Sequence, residues 1–173
     1  IDDVCITGVR YASLPFCEDF ESGTLNTSWE ITKSTPNGLT LVDTDHQPNS
    51  GNYHLTMATH PKFPYGFNQN EASLHLDLMG EQALTLSFAW KDLGDETDVQ
   101  DGVYLSDDGG DSYVKVFNFS GTTTNYQVES LDLSALITTY GLTYSSTFVI
   151  KFQQYDNKPA GMDGIAVDDI CVK

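Results

Sequence analysis

Apolar side chains recur at every second position along much of the chain: Leu74, Leu76 and Leu78, then Leu84, Leu86 and Phe88, and later Phe148, Ile150 and Phe152. A period of two is that of a β-strand with one buried face, because successive side chains of an extended chain point to opposite sides. Turn-forming clusters separate these runs, among them Thr35-Pro36-Asn37-Gly38, Pro48-Asn49-Ser50-Gly51, Asp107-Asp108-Gly109-Gly110 and Asn157-Lys158-Pro159-Ala160-Gly161. Many short strands punctuated in this way predict an all-β sandwich or barrel. The one stretch that could be helical, Ser134 to Tyr140, reads equally well as strand and turn through Leu131, Leu133 and Leu136, and is expected to give a single turn at most.

A length of 173 residues suits one domain, and a chain of this size buries roughly two-thirds of the surface that its unfolded form exposes. Eight Lys and Arg against twenty-five Asp and Glu give a formal net charge of -17. Phosphate backbones and anionic lipid surfaces repel such a molecule, so nucleic acid is excluded as a partner. The excess acid serves solubility in salty surroundings, or it binds calcium where several carboxylates converge. No stretch approaches the roughly 20 apolar residues that span a bilayer, so membrane insertion is not expected. No basic-then-apolar leader opens the chain, which reads as an excised piece of a longer product.

The two ends repeat each other, Ile1-Asp2-Asp3-Val4-Cys5-Ile6 matching Val167-Asp168-Asp169-Ile170-Cys171-Val172 almost residue for residue. On this reading residues 1–13 are the last strand of a preceding repeat plus a linker, and the module proper spans residues 14–173. A genuine first strand that resembles the last by chance is the competing reading. The repeat also sorts the three cysteines, Cys5, Cys17 and Cys171, whose spacing matches no metal-ligand cluster. With Cys5 in the previous module, Cys17 and Cys171 remain as a disulfide between the first and last strands, which commonly lie side by side in a β-sandwich.

Three segments together resemble a known family. Asp19-Phe20-Glu21-Ser22-Gly23-Thr24-Leu25, followed by Trp29, resembles the opening strand of MAM-like and cleaved-adhesin domains. Pro48-Asn49-Ser50-Gly51-Asn52-Tyr53-His54-Leu55 resembles their next strand, and Asp163-Gly164-Ile165-Ala166-Val167-Asp168-Asp169-Ile170 their closing one. The resemblance implies a two-sheet antiparallel jelly-roll β-sandwich, a fold shared with many carbohydrate-binding modules, and it leaves function open.

The acids of these segments suggest a calcium site. Asp19 and Glu21 are expected to share one face of a strand that carries Phe20 inward, and Asp168 comes beside them on the last strand. Carboxylates from both terminal strands, with the turn from Asn49 to Asn52, would suit an ion that takes six to eight oxygens. The resemblance implies a structural calcium at this corner and adds Asp43 and Asp45 as ligands; solvated strand-end acids are the alternative. A second acidic loop, Asp92 to Asp101, reads as a solvated hairpin tip. Ser106-Asp107-Asp108-Gly109-Gly110-Asp111-Ser112-Tyr113 resembles the Asp-box turn, in which an Asp side chain caps backbone amides.

Catalytic signatures are missing. No G-x-S-x-G occurs, the acids cluster in loops rather than alternating on a buried strand, and His46, His54, His60 and His75 lack motif context. Binding is better supported. Tyr65 and Phe67 lie in a loop rich in Pro and Gly, Trp90 ends a strand, and Tyr104, Lys151, Gln153 and Tyr155 would share the face opposite Val103, Ile150 and Phe152. Rings flanked by Gln, Lys and Asp suit a polysaccharide or glycan, the rings covering apolar sugar faces and the polar groups reading hydroxyls. The same residues could merely fill the second side of the sandwich. The sequence therefore predicts a non-catalytic, calcium-stabilised carbohydrate-binding or surface-attachment module of a secreted multidomain protein. The rival is a protein-adhesion or spacer repeat with no sugar site. Asn26 and Asn118 begin N-x-[ST] sequons, which matter only in a eukaryotic secretory host.

Overall fold

Alternating apolar positions become strands throughout the computed structural model, which describes residues 8–60, 67–94, 98–121, 124–157 and 164–173. In chain order the elements are β1 (Phe16–Glu18), β2 (Trp29–Lys33), β3 (Gly38–Asp43), β4 (His54–Thr59), β5 (Asn68–Leu76), β6 (Thr85–Asp92), β7 (Gly102–Ser106), β8 (Val114–Asn118), β9 (Gln127–Asp132), α1 (Leu133–Tyr140), β10 (Phe148–Asp156) and β11 (Gly164–Val172). One antiparallel sheet runs β3-β4-β11-β6-β9 with β1 added beside β11; the other runs β2-β5-β10-β7-β8. The fold is the two-sheet jelly-roll β-sandwich.

The longest apolar strands hold the two sheets together. Phe148, Ile150 and Phe152 on β10 and Ile165, Val167 and Ile170 on β11 are buried in one core with Leu74, Leu76, Leu86 and Phe88. Phe20 and Trp29 also belong to it, as their apolar character requires. Strand β11 changes partners along its length: β4 pairs with Gly164 to Val167, and β1 with Ile170 to Val172. The register against β6 shifts between Asp168 and Cys171, a bulge that places Asp169 at φ +50°. Past the bulge, Cys171 lies directly opposite Cys17 and the two form the expected disulfide.

Two expectations need correction. The 133–140 segment is a true helix: the Asp132 carboxylate accepts a hydrogen bond from the Ala135 amide, and Gly141, at φ +69°, closes the last turn. An N-cap of this kind and a left-handed C-terminal glycine outweigh the β-branched residues between them. Conversely, Asp19 and Glu21 are not strand residues. β1 ends at Glu18, and Phe20 sits at φ +57° in a turn that turns its ring into the core.

Residues 1–7, with Cys5, lie outside the described part. Nearby, Ala12 bridges to Leu76 and the Arg10 amide donates to the Thr27 carbonyl, so the segment before β1 lies against the sandwich.

Candidate functional site

The outer face of the β2-β5-β10-β7-β8 sheet gathers four of the expected binding residues. All its strands pair antiparallel, and one row crosses the whole sheet, Glu30, Ser73, Lys151, Tyr104 and Lys115, with a register shift between Val103 and Tyr104 where β7 meets β8. The next row along carries Thr32, Glu71, Gln153 and Gly102. Tyr155 follows opposite Gln69, two positions beyond Gln153 on the same face.

Charges on this face neutralise one another. Lys151 Nζ lies 2.6 Å from Glu71 Oε1, 4.1 Å from the Tyr113 ring centroid and 5.0 Å from that of Tyr104. The Tyr104 hydroxyl and Gln153 Nε2 both donate to the Gln100 carbonyl, at 2.8 and 2.9 Å. Gln69 Nε2 donates to Glu71 and to Gln153 Oε1. Burial pushes the Tyr104 phenol up, as do the charges of Asp101, Glu71 and Asp98, so it remains a neutral donor at physiological pH. At the end of the face Phe67 is 66% exposed and stacks on Tyr155, with centroids 6.5 Å apart and ring planes 21° apart. The exposed Phe67 ring thus adjoins a lattice of amides and a phenol that are hydrogen-bonded to one another, with Gln153 4% exposed and Gln69, Tyr104 and Tyr155 half-buried; these groups carry no net charge to attract an ionic ligand.

The sequence missed Glu71, Gln69 and Tyr113. The alternation through Leu74 and Leu76, extended upstream, puts Gln69 and Glu71 on the outer face, so that signal was present. Trp90 does not belong to this surface. It is 4% exposed, packs against Phe117 and Phe119 in the core and donates from Nε1 to Glu129 Oε1. Its place at a strand end hid the fact that it continues the inward phase of Leu86 and Phe88. Tyr65 lies outside the described residues.

The expected calcium ligands meet at one corner, around the loop from Asp43 to Tyr53. Glu21 Oε1 accepts the amides of Asn52 and Tyr53, at 2.7 and 2.8 Å, and Oε2 accepts from Asn52 Nδ2. Asp168 Oδ2 accepts the amides of Asn49 and Ser50, and its Oδ1 that of Asp169. Asp43 Oδ1 accepts from Thr56 Oγ1 and the Asp45 amide and lies 3.0 Å from His54 Nε2, while Asp19 caps the Glu21 amide. The Tyr53 and Asn52 amides hold Glu21 below the usual carboxylate range. Burial pushes Asp168 up to about 6. The carboxylates therefore staple the loop through its N–H groups, and among the described residues no three acidic, His or Cys side chains are placed to hold one metal ion. In this conformation the Glu21, Asp43 and Asp168 oxygens are engaged by N–H and O–H donors of the loop and its neighbours.

Asp108 accepts from the Ser106 hydroxyl, the Ser112 hydroxyl and the Ser112 amide, the turn-capping expected of it. At the two ends of the 92–101 segment Asp92 is 5% and Asp101 1% exposed, the latter accepting the Tyr155 amide, while Val99 is exposed and Asp95 and Glu96 lie outside the described residues.

No family model matches the chain, and no curated protein sequence matches it. Solved structures do. The K3 cleaved adhesin domain of Lys-gingipain from Porphyromonas gingivalis is similar at 16% identity and a TM-score of 0.59, over 91% of this chain and 96% of that one. The carbohydrate-binding module TmCBM61, solved with β-1,4-galactotriose, is similar at 15% identity and a TM-score of 0.58, over 90% and 93%. The family 11 carbohydrate-binding module from Clostridium thermocellum, solved with a β-1,3-1,4-mixed-linked tetrasaccharide, gives 14% identity and 0.53, over 90% and 92%. At such identities the likeness is one of fold: the chain has the β-sandwich of carbohydrate-binding modules and cleaved adhesin domains.

Proposed function

We propose that this chain is a non-catalytic carbohydrate-binding or surface-attachment module of a secreted multidomain protein, related to the cleaved-adhesin and MAM-like domains that its three motif segments resemble. The observation that carries the reading is the outer sheet face, where the Phe67–Tyr155 stack adjoins the Tyr104, Gln153 and Gln69 hydrogen-bonding groups. Rings of this kind cover the C–H faces of sugars, and amides and phenols pair with their hydroxyls. Lys151 is committed to Glu71 and the chain carries a net charge of -17, so the ligand is a neutral glycan rather than a polyanion. The sandwich folds solved with bound oligosaccharides support this through their architecture. The Cys17–Cys171 disulfide supports an oxidising, extracellular setting, and among the described residues no helix is long and apolar enough to cross a membrane.

Affinity electrophoresis tests the reading. The protein should be retarded in gels containing a neutral polysaccharide such as galactan or mixed-linkage β-glucan, and not by a polyuronate. Phe67→Ala and Tyr155→Ala should weaken retardation several-fold, since stacking contributes on the order of 1 kcal/mol per ring. No retardation by any neutral glycan would sink the proposal in favour of an adhesion or spacer repeat, a reading that the cleaved-adhesin architecture also accommodates.

A further inference from the structure

The loop from Asp43 to Tyr53 is built around a charge that is not a carboxylate. Its residues His46 and Gln47 are consecutive and both left-handed, at φ +58° and +60°, a conformation that costs free energy for residues with a β-carbon and persists only where the surroundings fix it. The consequence is visible at Lys91 on β6, whose Nζ donates to both the His46 and the Gln47 carbonyl, the latter at 2.8 Å. Lys91 is only 4% exposed. An ammonium so far out of water requires compensation on several sides. Here two carbonyls meet it, the Tyr126 ring centroid lies 4.6 Å away, and the Asp168 charge attracts it.

The surrounding groups hold this arrangement in place. The Tyr126 hydroxyl is hydrogen-bonded to His54 Nδ1, and His54 Nε2 lies 3.0 Å from Asp43 Oδ1 at the start of the same loop. Asp168 in turn accepts the Asn49 and Ser50 amides two and three residues past Gln47. Carbonyls of the loop therefore face the ammonium, while its amides face the carboxylates.

We infer that the Lys91 ammonium is the resident cation of this corner, taking the structural part that a calcium ion was expected to play, so that the loop folds without metal. The device lies on the β11–β6 sheet and does not depend on glycan binding by the other sheet.

The decisive measurement uses the unmodified protein. After metal stripping with EDTA and exchange chromatography, its Tm and the hydrogen-exchange protection of the Asn49 and Ser50 amides should equal those in millimolar calcium. Lys91→Met should lower the Tm by about 5 °C or more and raise the exchange of those two amides at least tenfold; Lys91→Gln, which keeps a donor without charge, replaces it if the Met variant does not fold. Calcium should stabilise the variant more than the parent. A Tm that falls on stripping and recovers with calcium overturns the inference, as does calcium stabilising parent and variant equally, or an unchanged Asn49 and Ser50 exchange in both variants.

Discussion

The Glu21 carboxylate fills the space that any side chain at position 51 would need: a β-carbon on Gly51 would lie closer to Glu21 Cδ and Oε1 than real β-carbons approach. Gly51 is also left-handed, at φ +58°. Gly51→Ala should therefore combine backbone strain with loss of the Glu21 staple on Asn52 and Tyr53. Gly80, at φ +87° with nothing within 4 Å of its would-be β-carbon, supplies the control. Gly80→Ala should cost about 1 kcal/mol from the backbone alone, and Gly51→Ala at least about twice that, read as the difference in Tm. Equal losses would show that Glu21 yields freely.

The contrast between Glu21 and Leu74 shows what a linear pattern can reveal. The inward phase at Leu74, Leu86 and Phe152 is a property of neighbouring residues, so a period of two exposed it, and with it the outward phase of Tyr104, Lys151 and Gln153. Ser106 and Asp108 were legible because their turn closes within a few residues. The role of Glu21 depends on partners some thirty residues away and on a left-handed Phe20 that no strand pattern announces. Lys91 was invisible as a cation site for the same reason, since its carbonyl partners lie about 45 residues upstream and are backbone atoms.

The burial of Asp101 should make the stability rise on mild acidification. Burial pushes its pKa up to about 6, against the opposing pull of the Tyr155 and Asp98 amides, whereas an unfolded Asp titrates near 3.9. The native state therefore binds a proton that the unfolded state lacks between those values, and stability is gained as pH falls from about 6 to about 4. Asp168 shifts in the same direction. Glu21 and Asp108, held low by their hydrogen bonds, act oppositely and remove stability once pH falls below the usual carboxylate range. Thermal unfolding in 0.5 M salt, which screens general charge repulsion, should give a Tm several degrees higher at pH 5 than at pH 7.5. A flat or inverted profile would contradict the raised pKa of the buried Asp101.

The Cys17–Cys171 bridge joins residues 154 apart in sequence. In the chain-entropy picture a loop of this length contributes about 4–5 kcal/mol by restricting the unfolded chain. The Cys17→Ala, Cys171→Ala double variant should lose about 10 °C or more in Tm, and the parent in reducing agent should lose a similar amount. A parent insensitive to reduction would mean that the strands stay closed without the bond.

Trp90 and Phe67 looked alike in sequence, as aromatics at the ends of strands or loops, and the structure separates them. Trp90 is 4% exposed and lies 5.0 Å, centroid to centroid, from Phe119, so Trp90→Ala leaves a large cavity and strands Glu129 without its indole partner. It should cost about 3–5 kcal/mol. Any loss of glycan retention should track the fraction unfolded. Phe67 is 66% exposed and its main ring partner is Tyr155, so Phe67→Ala should move the Tm by no more than about 1 °C, because little area is lost from the folded state. Its effect should instead fall on retention by a neutral polysaccharide gel, several-fold and at unchanged folded fraction. Measuring both quantities for both variants separates stability from recognition: a Phe67→Ala protein that folds and binds as the parent does would remove the aromatic platform from the binding site, and a Trp90→Ala protein of parental Tm would contradict its place in the core.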